Sequence, residues 1–140
     1  MAAGDVAASP PLTRTLARAA RAVTASVEQV VRPEGLTFDQ WLVVETLAAE
    51  GSLAMAELGE RTMITGPTLT RLVDRLVTTA LVYREVDPAD RRKVLVHLSR
   101  RGEALHRAVA PKVAEVEQHL LGGLKRAGAV LEALEGMAER

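Results

Sequence analysis

Two clusters hold the side chains whose types and spacing could do chemistry. The first is Thr65-Gly66-Pro67-Thr68-Leu69-Thr70-Arg71-Leu72-Val73-Asp74-Arg75-Leu76-Val77. The second is Asp87-Pro88-Ala89-Asp90-Arg91-Arg92-Lys93, set between two short apolar runs. Hydroxyls, guanidiniums and an ammonium group make reversible hydrogen bonds and ion pairs with a polyanion. Covalent chemistry has no comparable signature. The chain contains no Gly-rich phosphate loop, no Gly-x-Ser-x-Gly and no acid–base pair clustered with a histidine. The expectation is a binding protein and not an enzyme.

In the first cluster Leu69, Leu72, Val73, Leu76 and Val77 fall on one helical stripe. Pro67, Arg71, Asp74 and Thr78 then point the opposite way, with Thr68, Thr70 and Arg75 flanking. An α-helix fits the DNA major groove, and its N-terminal residues reach the base edges. Thr65, Thr68 and Thr70 offer hydroxyls to phosphate or base, and their methyls, like Pro67, suit a thymine methyl. Arg71 is long enough for a bidentate guanine contact, worth roughly 1–3 kcal/mol of discrimination. Arg75 lies further along and suits phosphate. Taken alone, this helix reads equally well as an ordinary amphipathic surface helix. The second cluster shifts the balance. Charged residues commonly protect sheet edges, but Arg91, Arg92 and Lys93 are three adjacent cations at one hairpin tip. Asp90 is placed to hold a neighbouring guanidinium in one pose. A narrow A·T-rich minor groove concentrates negative potential and attracts such an arginine.

The charge distribution agrees. The whole chain has a formal net charge of zero. From Arg61 to Arg101, however, there are nine basic and four acidic residues, so this segment is +5 and the remainder −5. A local positive field over an acidic remainder suits a protein that presents one face to a polyanion.

Elements must position these clusters. Leu12, Leu16, Ala19, Val23, Val27, Val30 and Val31 mark an amphipathic helix over Leu12 to Arg32, stopped by Pro33. Thr37 and Gln40 form a capping-box pattern before a second helix that buries Trp41, Leu42, Val44, Leu47 and Ala48. Gly51 suits a left-handed end to it. Leu53 reads as a linker or a one-residue strand. Met55 to Thr62 is a short third helix with Leu58 as its inward anchor. Thr65 is expected to cap the fourth helix, with Pro67 in its first turn. Leu81 to Val86 and Lys93 to Leu98 read as two strands, Val94, Val96 and Leu98 alternating with Leu95 and His97. Ser99 caps a helix of over twenty residues, bent at Pro111 and broken at Gly122-Gly123. A final helix spans roughly Arg126 to Ala138. The predicted fold is mainly α with a small β-hairpin wing. It comprises a flexible tail (1–11), a dimerisation helix (12–36), a winged helix-turn-helix DNA-binding lobe (37–98) and C-terminal dimerisation helices (99–140). The flanking helices are too apolar to stand in water alone, so they should pair across a two-fold axis.

The 140 residues suit one domain with a core, built from Leu, Val and Ala because aromatics are only 2%. The chain has no cysteine, so thiolate metal sites and disulfides are excluded, which fits a cytoplasmic protein. No run reaches the ~20 apolar residues that span a membrane, and Met1 to Pro11 lacks the pattern of a signal peptide.

The joined pattern resembles the MarR family of bacterial transcription regulators. It is carried by Glu57-Leu58-Gly59-Glu60-Arg61, Thr68 to Leu76, Leu81-Val82-Tyr83-Arg84 and Asp87 to Gly102, and extends to Phe38-Asp39-Gln40-Trp41-Leu42-Val43-Val44 and both terminal helices. The resemblance implies a homodimer on pseudo-palindromic double-stranded DNA. It implies that the Asp-x-Arg of the wing, here Asp90 and Arg92, places an arginine in the minor groove. It also implies a repressor released by a small, often phenolic, effector bound between the DNA-binding lobe and the dimer helices. No residue is assigned to that effector from the sequence, and no cofactor is implied. The rival readings are a constitutive DNA-binding regulator without ligand and a winged-helix protein-interaction module. This chain departs from the family in three ways. Ala54 stands where a capping Ser or Thr would, the lack of Cys excludes the cysteine-based peroxide-sensing branch, and few aromatics are available to stack on a phenol.

Three further groups carry weaker signals. Glu103 with His106, and Glu115 with His119, share helical faces but do not make an obvious four-ligand metal site; with His97 they read as surface or interface histidines. Trp41 reads as core in preference to a ligand-stacking ring. Arg14, Arg18 and Arg21 read as a solvated face, the alternative being an anionic-ligand pocket.

Overall fold

A computed structural model describes residues 10–140; residues 1–9 of the expected tail lie outside the described residues. The chain forms α1 (Leu12–Val31), a 3-10 turn (Arg32–Glu34), α2 (Phe38–Glu50), β1 (Leu53–Ala54), α3 (Met55–Thr62), α4 (Gly66–Thr78), β2 (Val82–Val86), β3 (Val94–Leu98), α5 (Arg100–Leu121) and α6 (Ala127–Ala138). Apart from the 3-10 turn and β1, this is the order read from the sequence. The strands make one antiparallel sheet in the order β1-β3-β2, with Val82 opposite Leu98 and Leu53 opposite Val96. Leu53 is thus part of a strand, and β1 ties the start of α3 to the wing.

Several local predictions hold in detail. Thr37 Oγ1 accepts the Gln40 N–H at 3.2 Å and Gln40 Oε1 accepts the Thr37 N–H at 2.9 Å, closing the capping box. Ser99 Oγ accepts the Gly102 N–H at 3.0 Å at the start of α5. Others need correction. Pro33 ends α1 but does not end helical winding, because the chain tightens into a 3-10 turn that tolerates a proline near its start. Gly51 has φ 83° but ψ −168°, an extended positive-φ geometry and not the left-handed helical one expected. Ala54 offers no capping side chain, yet its own N–H is held by the Glu57 carboxylate at 3.0 Å, half of a capping box. Thr65 occupies the cap position of α4, but its hydroxyl donates to Thr68 Oγ1 at 3.2 Å and caps no backbone N–H. Pro67, at the second helical position, has no N–H to offer.

One core joins α1 to α5 and the sheet. Val43 and Val44 of α2, Leu58 of α3, Leu76 of α4, Val96 of β3 and Val109 of α5 are at most 1% exposed. Val43 is not among the core residues expected from the sequence. It is buried because α2 is packed by α1, α5, α3, α4 and β3, not along a single stripe. Ala48, read as inward, is exposed near the end of that helix. Val94 is exposed despite its alternation with Leu95, since it lies at the wing tip beyond the reach of the core. Helix α5 runs unbroken through Pro111. Among the described residues, no helix is long and apolar enough to cross a membrane.

Candidate nucleic-acid interface

Helix α4 turns Leu69, Val73 and Leu76 into the core, with Leu69 2% exposed. That anchoring aims Thr65, Pro67, Thr68, Thr70, Arg71 and Arg75 outward, and all six are open to solvent. Among the described residues, no acidic group pairs with Arg71 or Arg75. Their charge is therefore available to a ligand. Thr70 is a partial exception: its hydroxyl already donates to the Gly66 carbonyl at 3.0 Å, which leaves its methyl and an oxygen lone pair for contact.

The wing is built by its acids. Asp87 Oδ1 accepts the Ala89 N–H at 2.9 Å, and the Asp87 N–H donates to the Lys93 carbonyl at 3.0 Å, which closes the hairpin. Asp90 Oδ1 accepts both the Arg92 N–H and its Nε–H at 3.1 Å, and Oδ2 accepts from Nη2 at 3.4 Å. The Arg92 side chain remains 91% exposed. It is thus an arginine held in one direction while fully presented to solvent. The Asp90 carboxyl sits below the ordinary aspartate value, first through the Arg92 side-chain hydrogen bond and then through the Arg92 backbone N–H. Arg91 and Lys93 are exposed beside it.

Sequence reasoning missed the struts that fix this surface. Arg84 of β2 pairs with Asp74 on α4, joining the wing to the helix that bears Arg71. Arg61 Nε meets Glu50 Oε1 at 2.8 Å, joining α3 to the end of α2. His97 packs flat on Tyr83, ring centroids 4.8 Å apart, and its Nδ1 hydrogen-bonds with Ser52 Oγ. The strut partners lie ten, eleven and forty-five residues apart, so only the assembled topology reveals them.

A second feature lies behind the interface. A cavity of about 500 Å³ opens between α1, α2 and α5, with Val23, Val27, Trp41, Glu45, His106 and Val113 among its walls. His106 does not turn to Glu103. Its Nε2 meets Glu45 Oε2 on α2 at 2.6 Å, and its ring stacks on Trp41 at 5.4 Å with 7° between planes. Trp41 is core, 3% exposed, and also a wall of the cavity. Arg14, Arg18 and Arg21 are exposed along α1, and none of them lines this cavity. His119 lies in a different cleft with Glu115 and Lys112. Among the described residues, no three histidine or carboxylate side chains converge as a metal site would require.

The comparisons with known proteins point one way. The model of the MarR family matches residues 34–93. The homoprotocatechuate degradative operon repressor of Escherichia coli is 29% identical over 109 residues, covering 78% of this chain and 74% of that protein. The HTH-type transcriptional repressor NicR of Pseudomonas putida is 34% identical over 101 residues, covering 72% of this chain and 64% of that protein. Among solved structures, Bordetella bronchiseptica BpsR, whose DNA binding is regulated by 6-hydroxynicotinic acid, superposes with a TM-score of 0.80. It is 31% identical, and the match covers 91% of this chain and 98% of that one.

Proposed function

The chain belongs to the MarR family of transcription regulators, and we propose that it acts as a homodimeric repressor on a pseudo-palindromic operator, released by a small-molecule effector. The observation that carries the DNA-binding part is the Asp90–Arg92 pair, a pre-ordered guanidinium on an otherwise exposed wing tip. In this reading α4 enters the major groove. Arg71 reads a guanine, Thr65, Pro67, Thr68 and Thr70 meet base edges and backbone, and Arg75 meets phosphate. Arg92, ordered by Asp90, enters the adjacent minor groove, with Arg91 and Lys93 on the flanking phosphates. Residues 37–98 form the DNA-binding lobe, and 12–36 and 99–140 pair it with its copy. One lobe contacts too few base pairs to specify a promoter; two lobes one helical turn apart, or a multiple of it, double the site.

A DNA duplex from the chain's own promoter region, titrated by fluorescence anisotropy, tests this reading. The dimer should bind it well above a random duplex at moderate salt. Affinity should also fall steeply with salt, by about a thousandfold between 50 and 200 mM if six phosphates are neutralised. Equal affinity for both duplexes would remove the operator reading. The effector part is favoured over a constitutive regulator by the cavity between α1, α2 and α5, of the size that small ligands occupy. Relatives supply a parallel, since BpsR responds to 6-hydroxynicotinic acid. A ligand in this cavity touches both the lobe and the pairing helices. It shifts DNA affinity to the extent that it prefers one arrangement of the two.

A further inference from the structure

We infer that the cavity between α1, α2 and α5 is selective for a cationic effector with a flat apolar body, such as an aromatic amidine, and against an aryl carboxylate. This inference rests on the effector reading above and deepens it. It starts from the composition of the walls. Val23, Val27, Phe38, Leu42, Trp41 and Val113 supply an apolar slot for a ring system. The charged or titratable groups on the lining are Glu45, Glu117 and His106, with no arginine or lysine.

Two nearby cations lie outside the slot. Lys112 Nζ meets Glu34 Oε1 at 2.9 Å, and Arg107 lines a separate cleft beside His97 and Glu103. His106 offers no free charge either: its Nε2 is bound by Glu45 Oε2 at 2.6 Å, and one face of its ring is covered by Trp41. Two carboxylates therefore face the slot against at most one imidazolium. An aryl carboxylate entering it would shed its hydration beside like charges and find no guanidinium or ammonium partner, which is unfavourable. An amidinium presents two parallel N–H donors to a carboxylate, the fork geometry that makes such pairs strong. Glu117 is exposed, and among the described residues no basic group pairs with it. Its carboxylate is free to accept such a fork. The effector chemistry of BpsR, whose ligand is an acid, does not suit these walls.

The test uses the full chain and three planar ligands of one size: 2-naphthamidine, 2-naphthamide and 2-naphthoate. Binding is read by titration calorimetry. The amidine should bind about tenfold tighter than the amide, as a charge-assisted pair adds over a neutral one. The naphthoate should bind weakest. E117Q and E45Q should each weaken the amidine about tenfold and leave the amide nearly unchanged. Both keep a side chain of the same shape, and the amide introduced by E45Q retains an oxygen for His106. Ala114→Trp, which fills the slot, should abolish binding of all three. Naphthoate binding as tightly as the amidine overturns the inference, and so does amidine binding that ignores both glutamine variants or an absence of binding by all three at millimolar concentration. The effector reading is scored separately, by operator affinity. Amidine bound in the cavity with no change in operator affinity removes the effector role and keeps the charge preference. Naphthoate that releases DNA does the reverse.

Discussion

At the scale of single residues, the wing separates two ways in which an arginine contributes to binding. Arg92 carries charge, and Asp90 fixes its direction through three hydrogen bonds. Arg92→Ala should remove both contributions and reduce affinity most on operators with narrow A·T-rich grooves. Asp90→Ala keeps the guanidinium and loses only its ordering. Its loss should be smaller, about three- to tenfold, consistent with the entropy of one long side chain. Anisotropy titrations of both variants on A·T-rich and G·C-rich operators check this; equal losses on both sequences would make Arg92 a plain phosphate contact. The pH dependence has a definite sign. A carboxyl held below its ordinary value contributes while ionised, so the contribution is complete above the ordinary aspartate value and is lost as pH falls through the depressed one. The ratio of wild-type to Asp90→Ala affinity should therefore be flat from pH 8 to 5. A ratio that falls within that window would show that the Asp90 carboxyl is not held below its ordinary value. That Asp90 holds a neighbouring guanidinium was legible because acid and cations share one tight turn; that the partner is Arg92 followed only from the family resemblance. The hydroxyl of Thr65 was misread because its alternative partner, Thr68 Oγ1, competes locally with the backbone.

At the scale of elements, the fold depends on how α5 leaves the wing. Ser99 stands at the corner: its N–H donates to the Leu81 carbonyl at 3.0 Å, its Oγ–H to the Ala80 carbonyl at 2.6 Å, and its Oγ accepts from Gly102. Ser99→Ala should destabilise the chain by about 1 kcal/mol, the usual loss for an N-cap. Gly102 gives a sharper test. Helix propensity alone predicts that Gly→Ala near the start of a helix stabilises by up to about 1 kcal/mol. A Cβ at 102 would, however, stand 2.1 Å from the Leu81 carbonyl oxygen and 3.0 Å from a Leu98 methyl. Backbone must then shift, so Gly102→Ala should destabilise by about 2–3 kcal/mol in urea unfolding. A stabilised variant would mean that α5 can slide on the wing without loss. This contrast shows what the sequence could convey about the fold. Element order and most element ends were legible from periodicity, caps and prolines. Close approaches between segments were not, because Leu81 and Gly102 become neighbours only after the hairpin folds back. The same reason hid Val43, the Arg84–Asp74 strut and the Glu45–His106 pair, each set by packing between separate elements.

At the scale of the molecule, α6 cannot be explained by the single chain. It carries Val130, Leu131, Leu134 and Met137, all between 37 and 47% exposed, and none of its residues is buried. Leu12 and Leu16 at the start of α1 are exposed at 61% and 38%. Each such leucine covered by a second chain contributes roughly 1–2 kcal/mol by area, so apolar faces of this kind support a lasting two-fold pairing. The charge arrangement fits. The +5 middle segment carries the surface proposed to meet DNA, while the −5 remainder includes the helices assigned to pairing. Leu131→Glu with Leu134→Glu puts two carboxylates into that seam in each chain, four in the pair. Such a variant should be monomeric at micromolar concentration by light scattering. Its lobe should stay folded, because the core of α2 to α5 contains neither residue. Its loss of DNA binding should also be selective. Each lobe keeps α4 and the wing, so weak, salt-sensitive binding to any duplex should persist, while the preference for the full operator over a half-site disappears. A variant that remains dimeric would place the two-fold on another surface. A monomer that still discriminates full operator from half-site would mean that the two lobes are brought together by the DNA, with the terminal helices serving some other contact.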